Sequence, residues 1–523
     1  MKEEICIFTT SDIHGRLLPK DKRPNDGSPA PCHSLAQIAT LLKERRKTCA
    51  HSIYFDNGDT IQGSSLVHFF GKYADGKEHP VVRGLQEMDC DALVIGNHEF
   101  NYGVETLLSL SRSSPFPFLS GNIRDARTGT AYFGLPYRIV QRGPLSVALV
   151  GLTTRVVERG SEQVVLTDEV QALKDCLKSI REQQPVDLVV VGYHGGTDRD
   201  MDTGEPIAKP FENRGIELME QVEGIDVLVT GHQHRTFTWI QGTQTMIQPG
   251  AFADGLGEVR LELEQDSPGE RWKVVNAEAT VWSNEKLEPD RGFVDAMEPF
   301  VRKARRWEQE ALSELKKSYP VNDILSEICM EEHPLVQWMH DVQMRASEAP
   351  LSAVSYVNEQ FKGFVDPRVT REDVMQFFPY PDGLQVMELS GRHVMALMEV
   401  SATLFDLNGH QAFPVVNREW LRPHFRIYDY VMWKGLDYRL DLRNPPGQRL
   451  TECRTKEGPV DPDGRYQVVT TAFIANQMRS VLDGFDGQVV SNIEREVPDL
   501  LMEDAQRGGL EAVAVTRNRS VIY

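Results

Sequence analysis

Five short apolar runs punctuate the first half of the chain, and each ends in polar residues set among glycines or turn formers. They are Ile5–Thr9 into Asp12-Ile13-His14, Ile53–Phe55 into Asn57-Gly58-Asp59, and Ala92–Ile95 into Gly96-Asn97-His98-Glu99. Then come Val186–Val191 into Gly192-Tyr193-His194-Gly195-Gly196 and Ile225–Val229 into Gly231-His232-Gln233-His234. β-Branched runs closed in this way read as buried strands. Leu35–Arg45 and Asp168–Glu182 carry helical periodicity between them. Strands alternating with helices predict an α/β domain, and functional groups in such domains gather beyond the carboxyl ends of the strands. Glu258–Glu264 and Trp272–Trp282 alternate apolar and polar positions, as antiparallel edge strands do.

Asp290–Lys317 is charged and apolar at helical spacing, with no glycine after Gly292. It reads as a long linker helix or as a helix of the second domain. Beyond it, Leu384–Leu389 and Tyr466–Thr471 read as strands and His393–Ala402 as a helix. The expected organisation is a first domain over residues 1–285, a linker helix over 286–322 and a second α/β domain over 323–523. The loop Lys20–Pro31, rich in Pro, Asp and Gly, is expected to be exposed, and there is no internal repeat or low-complexity tract.

A length of 523 residues leaves room for a substantial core and roughly two to four domains. Hydrophobic content of 40% and charged content of 26% are ordinary for a globular protein. The net charge of −20 disfavours loose binding to nucleic acid or to anionic membranes. An anionic substrate would therefore have to be attracted locally, as bound cations would do. The seven cysteines, Cys6, Cys32, Cys49, Cys90, Cys176, Cys329 and Cys453, are scattered and form no CxxC pair. They read as reduced thiols of a cytosolic protein, not as a cysteine zinc site. The amino terminus enters the first strand without a leader pattern, and no stretch approaches a membrane span. Cytoplasmic residence is the resulting expectation.

Asp12 and His14 are two residues apart, as are His232 and His234, so on extended backbone each pair faces one way. A lone DxH or HxH is weak evidence. Four histidines, two aspartates and one asparagine in sequence, each after a strand and beside glycine, are not. The donors are nitrogen and oxygen without sulfur, a set that suits two divalent ions such as Mn²⁺, Zn²⁺, Fe or Co²⁺ and fits Ca²⁺ poorly. Two carboxylates against two such ions leave net positive charge, which draws in phosphate and acidifies water.

Asp-Ile-His-Gly, Asn-Gly-Asp-Thr-Ile-Gln-Gly, Gly-Asn-His-Glu-Phe, Gly-Tyr-His-Gly-Gly and Gly-His-Gln-His together resemble the calcineurin-like metallophosphoesterase domain of the 5′-nucleotidase family. The second half is similar to that family's C-terminal domain. The resemblance implies a four-layer αββα sandwich joined by the linker helix to a second α/β domain. It implies that Asp12, His14 and His234 hold one metal and Asn97, His194 and His232 the other, with Asp59 bridging. Water or hydroxide on the metals would attack phosphorus in line. His98, not a ligand, would stabilise the transition state or protonate the leaving group. Glu99 reads as a structural group beside the site, with a general-base role as the alternative. Gln62 and Gly63 would shape the loop after Asp59, and Arg16 would contact phosphate or simply pack. Many family members carry an aspartate where this chain has Asn101, and an amide cannot supply the negative charge that would raise the pKa of His98. Gly-Asn-His-Glu-Phe-Asn-Tyr-Gly looks more like the subgroup acting on 2′,3′-cyclic nucleotides and 3′-nucleotides.

In the second domain, Tyr380-Pro381-Asp382 is similar to the family's Tyr-Pro-x-Asn pattern. Tyr380 and Phe473 would stack on a base, which is worth about 1–3 kcal/mol per base, with Asp382 at the base edge. Asn97 is placed against the substrate as well as on the metal. The family's Gly-Gly-Asp-Gly loop is replaced by Ala475-Asn476-Gln477-Met478. The two domains would close on each other about a hinge near 315–335. The resulting reading is a two-metal hydrolase of small nucleotides, with 2′,3′-cyclic nucleotides and nucleoside monophosphates as substrates. A 5′-nucleotidase or nucleotide-sugar hydrolase on the same scaffold is the runner-up. A non-catalytic nucleotide-binding protein would be expected to have lost ligands, yet all seven positions carry competent side chains. A zinc peptidase would need His-Glu-x-x-His, which is absent.

Overall fold

The computed structural model describes residues 1–19, 33–74, 78–155, 162–201, 203–205, 212–380, 382–407, 414–416, 427–482, 484–493 and 495–523. The loop at 20–31 and Cys32 fall outside the described residues. The chain divides into two compact units, Met1–Arg305 and Arg306–Tyr523.

The first unit is built on two six-stranded sheets. One contains β1 (Lys2–Thr10), β2 (His51–Asp56), β3 (Ala92–Val94) and β4 (Phe118–Leu119). The other contains β5 (Tyr137–Arg142), β6 (Leu145–Thr153), β7 (Leu188–His194), β8 (Val227–Thr230), β9 (Thr236–Gln241) and β10 (Gln244–Pro249). Returning strands β11 (Gly255–Glu264) and β12 (Lys273–Ser283) complete the first sheet. Its order is β12-β11-β1-β2-β3-β4, and the second runs β9-β10-β8-β7-β6-β5. β1 through β4 are parallel, with β11 and β12 added antiparallel at one edge, as their alternation suggested. In the second sheet β6, β7, β8 and β10 are parallel.

Side-chain alternation turns this pairing into layers. Ile5, Ile7, Ile53 and Phe55 pack between the sheets with Val147, Leu149, Val190 and Val229. The opposite faces carry Phe8 and Tyr54 into a helix layer with α1 (Leu35–Arg46), and Val150 and Val191 into another with α2 (Glu169–Gln183). The architecture is the four-layer αββα sandwich.

Helix α3 occupies Arg291–Glu308, shorter than the 290–317 expected, and Ala311–Glu314 is extended. Phe293, Met297, Phe300 and Ala304 fall on one side of α3 and are buried in the first unit's core. That spacing is the 3.6-residue stripe of a packed helix rather than a free linker.

The second unit is also α/β. Strands β13 (Leu351–Val354), β14 (Leu384–Ser390), β15 (Met432–Lys434), β16 (Arg465–Thr471) and β17 (Gln488–Ile493) pair in the order β15-β13-β16-β14-β17. Helices α4 (Pro334–Ser347), α5 (Gly391–Ala402) and α6 (Ala472–Val481) accompany them.

One expectation is corrected. Cys6 and Cys49 form a disulfide, 43 residues apart in sequence. Parallel pairing of Ile5 with His51 brings the turn holding Cys49 alongside β1, a proximity that no spacing rule reveals. Cys90, Cys176, Cys329 and Cys453 are free thiols.

Candidate active site

Each sequence-predicted ligand follows the carboxyl end of a parallel strand, with His194 the last residue of β7. β1, β2 and β3 belong to one sheet and β7 and β8 to the other, so the site forms where both sheets end on one rim. The turns that leave these strands are strained. Asp12, His14, Asp59, His232 and His234 hold φ of 53°, 49°, 56°, 69° and 54°, the left-handed region that non-glycine residues avoid. Such strain costs on the order of 1–3 kcal/mol per residue and clusters at functional sites. The adjoining glycines allow close approach. A Cβ on Gly96 would collide with Asp59 Oδ1, and one on Gly231 with Ser11 Oγ.

Two groups result. Asp12, His14 and His234 offer ligand atoms within 4.8 Å of one another, and so do Asp59, His194 and His232. Asn97 joins the second group, its Oδ1 2.9 Å from His232 Nδ1. Asp59 and Asp12 both approach His194 Nε2, at 3.0 and 3.9 Å, so the two groups adjoin. All seven sequence-predicted ligands are therefore brought together.

The second nitrogen of three histidines is tied elsewhere, which sets the tautomer. His14 Nδ1–H donates to Gln62 Oε1 at 3.0 Å, His194 Nδ1–H to the Asn57 carbonyl at 2.7 Å and His232 Nε2–H to Glu212 Oε1 at 2.7 Å. The remaining lone pairs then face other acceptors. His14 Nε2 lies 3.0 Å from His234 Nε2, His194 Nε2 3.0 Å from Asp59 Oδ2, and His232 Nδ1 beside Asn97 Oδ1. His194 Nε2 is buried without a hydrogen-bond partner. Acceptors converging in this way call for cations between them, and the nitrogen and oxygen donors suit divalent metals. The residues fit the group.

The electrostatics agree. Burial opposes charge on His194, but Asp59, Asp12 and Glu99 outweigh it and hold its imidazole up to about 10, so the carboxylates around Nε2 call for a positive charge there, whether a proton or a metal ion. Burial pushes Asp12 up to about 6 against the pull of His194, and drives His14 down to about 4. A buried, anionic pocket of this kind attracts positive charge.

His98 stands at the edge of the groups. Its Nε2 is 4.0 Å from Asp59 Oδ2, its backbone N–H donates to Asp59 Oδ1 at 2.8 Å, and its Nδ1 meets Asn101 Oδ1 at 2.7 Å. Glu99 accepts backbone N–H groups from Asp59, Thr60, Ile61 and Gly96, which makes it structural. Arg16 lies over the Phe252 ring at 4.8 Å. Phe252, absent from the sequence reading, packs against His14 and His234 with ring centroids 5.3 and 5.1 Å away. Only its nearness in space, not its sequence context, signals it. Glu212, 2.7 Å behind His232 Nε2, is the other residue beside the site that its motifs do not signal.

Three sequence-predicted substrate contacts lie in the second unit. Asp382 is buried, and its Oδ2 accepts the Phe473 N–H at 3.1 Å, at the start of α6. Phe473 meets Tyr428 edge-on at 6.0 Å, and Tyr380 meets Phe378 at 6.4 Å.

Residues 7–236 match the calcineurin-like phosphoesterase model, and residues 322–485 match the 5′-nucleotidase C-terminal domain. The chain belongs to the calcineurin-like phosphoesterases that carry a 5′-nucleotidase C-terminal domain. This enzyme is 24% identical to the 2′,3′-cyclic-nucleotide 2′-phosphodiesterase/3′-nucleotidase of Salmonella typhimurium, over 95% of its own length and 84% of the relative's. In fold it is similar to a Staphylococcus aureus protein solved with alpha-ketoglutarate, at TM-score 0.83 and 24% identity, covering 99% of this chain and 100% of the other. It is also similar to the 5′-nucleotidase precursor of Thermus thermophilus, at TM-score 0.65 and 18% identity, covering 99% of each chain. The enzyme is a metallophosphoesterase, and its family implies divalent metal ions.

Proposed function

We propose that this metallophosphoesterase hydrolyses small nucleotides, with 2′,3′-cyclic nucleotides and 3′-nucleotides preferred, and that Mn²⁺, Zn²⁺, Fe or Co²⁺ serves it. The observation that carries the proposal is the convergence of His14, His194, His232, His234, Asp12, Asp59 and Asn97 with their lone pairs facing one another. Bound there, two divalent cations would neutralise phosphoryl charge and acidify water. Asp12, His14 and His234 would hold one and Asn97, His194 and His232 the other, with Asp59 shared.

The chain's own residues do the rest. Gln62, the Asn57 carbonyl and Glu212 keep three imidazoles in the donor tautomer. Asn101 anchors His98 Nδ1 and leaves Nε2 on the Asp59 side, within reach of a phosphoryl oxygen or a leaving alkoxide. Asn101 and the Salmonella relative support the cyclic and 3′ preference. Tyr380 and Phe473 are the proposed base platform. A net charge of −20 argues against polymeric nucleic acid as substrate. No helix among the described residues is long and apolar enough to cross a membrane.

The cytoplasm is kept as the proposed compartment. Disulfides are rare there, so the Cys6–Cys49 bridge weighs against it, and thiol counting on protein taken from each compartment decides. A second reading, 5′-nucleotidase or nucleotide-sugar hydrolase, is favoured by the C-terminal domain match. Phosphate release from 2′,3′-cyclic AMP, 3′-AMP, 5′-AMP and a nucleotide sugar, with a coupled phosphatase for monoester products, separates the two. Cyclic and 3′ substrates should lead; a lead for 5′-AMP or the sugar nucleotide would overturn the preference.

A further inference from the structure

Among the three tied ligand nitrogens, one is held by a charged group. His14 leans on an amide and His194 on a backbone carbonyl, whereas His232 Nε2–H donates to the Glu212 carboxylate at 2.7 Å. A carboxylate behind an imidazole fixes its tautomer and raises its basicity as a ligand.

The segment that carries Glu212 is built to hold it still. The Glu212 carbonyl accepts hydroxyls from Thr154 at 3.0 Å and Tyr193 at 3.2 Å. Next in sequence, Asn213 Oδ1 accepts the Gly196 N–H at 3.0 Å, in the turn that follows His194. Arg214 then forks onto Glu217 at 2.7 and 2.8 Å and reaches Asp168 and Glu169 at 2.6 and 2.7 Å. These carboxylates raise the guanidinium's pKa above its ordinary value. Glu212-Asn213-Arg214 therefore ties the turns of two ligand histidines to α2 and to the helix that follows Arg214.

We propose that Glu212 is a positioning residue, and that its charge makes the Asp59/Asn97/His194/His232 site the tighter-binding of the two cation sites. This rests on the metal-site reading above. In the other group His14 is backed by the neutral amide of Gln62, so the effect is assigned to the site that contains His232.

The test is equilibrium dialysis of the full-length protein against Mn²⁺ alone, with metal counted per chain and the bound Mn²⁺ followed by electron paramagnetic resonance. Wild-type protein should take two ions of unequal affinity and give a spin-coupled signal. Glu212→Ala should weaken the tighter site by about 10–100-fold, the usual effect of removing such a partner, and replace the coupled signal by that of isolated Mn²⁺. Glu212→Gln keeps an oxygen for Nε2–H but no charge, and should fall between. The apo melting temperature should stay at the wild-type value, which a purely structural role would not allow. Should Glu212→Ala fail to fold, the isosteric Glu212→Gln decides alone. Variants that bind both ions as wild type does overturn this inference and leave the metal site standing. Wild-type protein that takes up no Mn²⁺ overturns both.

Discussion

Glu99 accepts backbone N–H groups from both the Asp59 turn and the Gly96 turn, so one carboxylate fixes two ligand loops. Replacing Glu99 by Ala leaves those buried donors unmatched and should cost on the order of 3 kcal/mol in urea denaturation. The ring of His98, by contrast, is met at Nδ1 by Asn101 and ties no ligand loop through that bond. His98→Ala should keep both cations while kcat falls by roughly 10²–10⁴-fold, measured as phosphate release at saturating substrate. That the seven candidate ligand side chains converge was legible in the sequence because strand ends, glycines and donor types coincide in order. Gly96 and Gly231 stand where any Cβ would collide with the site, so their presence in the motifs has a steric cause. Phe252 and Glu212 were not legible, since each acts through contacts with residues far away in sequence. Asp382 was legible as a motif position but not as the acceptor of the Phe473 N–H.

Elements carry the pH response. His79, at the start of the helix Pro80–Glu87, is buried, and burial drives its pKa down to about 3. His340 on α4 is likewise held well below its ordinary value by burial. Depressed histidines favour the neutral form in the folded state. Their stabilisation is complete above pH 6.5 and is lost as pH falls from there toward the folded-state value, at up to about 1.4 kcal/mol per pH unit for each group. Thermal denaturation of the metal-free protein between pH 7 and pH 4.5 should show this decline. His79→Gln should flatten it, and an unchanged slope would contradict the assignment. Helix α3 shows why element boundaries are harder to read than element types. Its apolar stripe was visible, but only packing reveals that Phe293, Met297 and Phe300 belong to the first unit's core. Phe300→Ala should therefore destabilise the first unit by about 3–5 kcal/mol.

On the scale of the whole molecule, an acidic chain concentrates cation-binding groups on one rim of a four-layer sandwich. Fold class followed from alternating strands and helices. The Cys6–Cys49 pairing did not, because parallel strand register is a three-dimensional fact. The account stands on the two-cation centre, and it depends most on Asp59, whose carboxylate meets His194 at 3.0 Å and whose carbonyl accepts the His14 N–H at 2.9 Å. The decisive measurement is metal content and turnover of 2′,3′-cyclic AMP for wild-type and Asp59→Ala protein, dialysed against chelator and reloaded with Mn²⁺. Wild-type protein should lose turnover with its metal and regain it with two ions per chain, while Asp59→Ala retains fewer ions and no measurable turnover. Full activity in metal-free wild-type protein, or an Asp59→Ala variant that binds two ions and turns over normally, would contradict it.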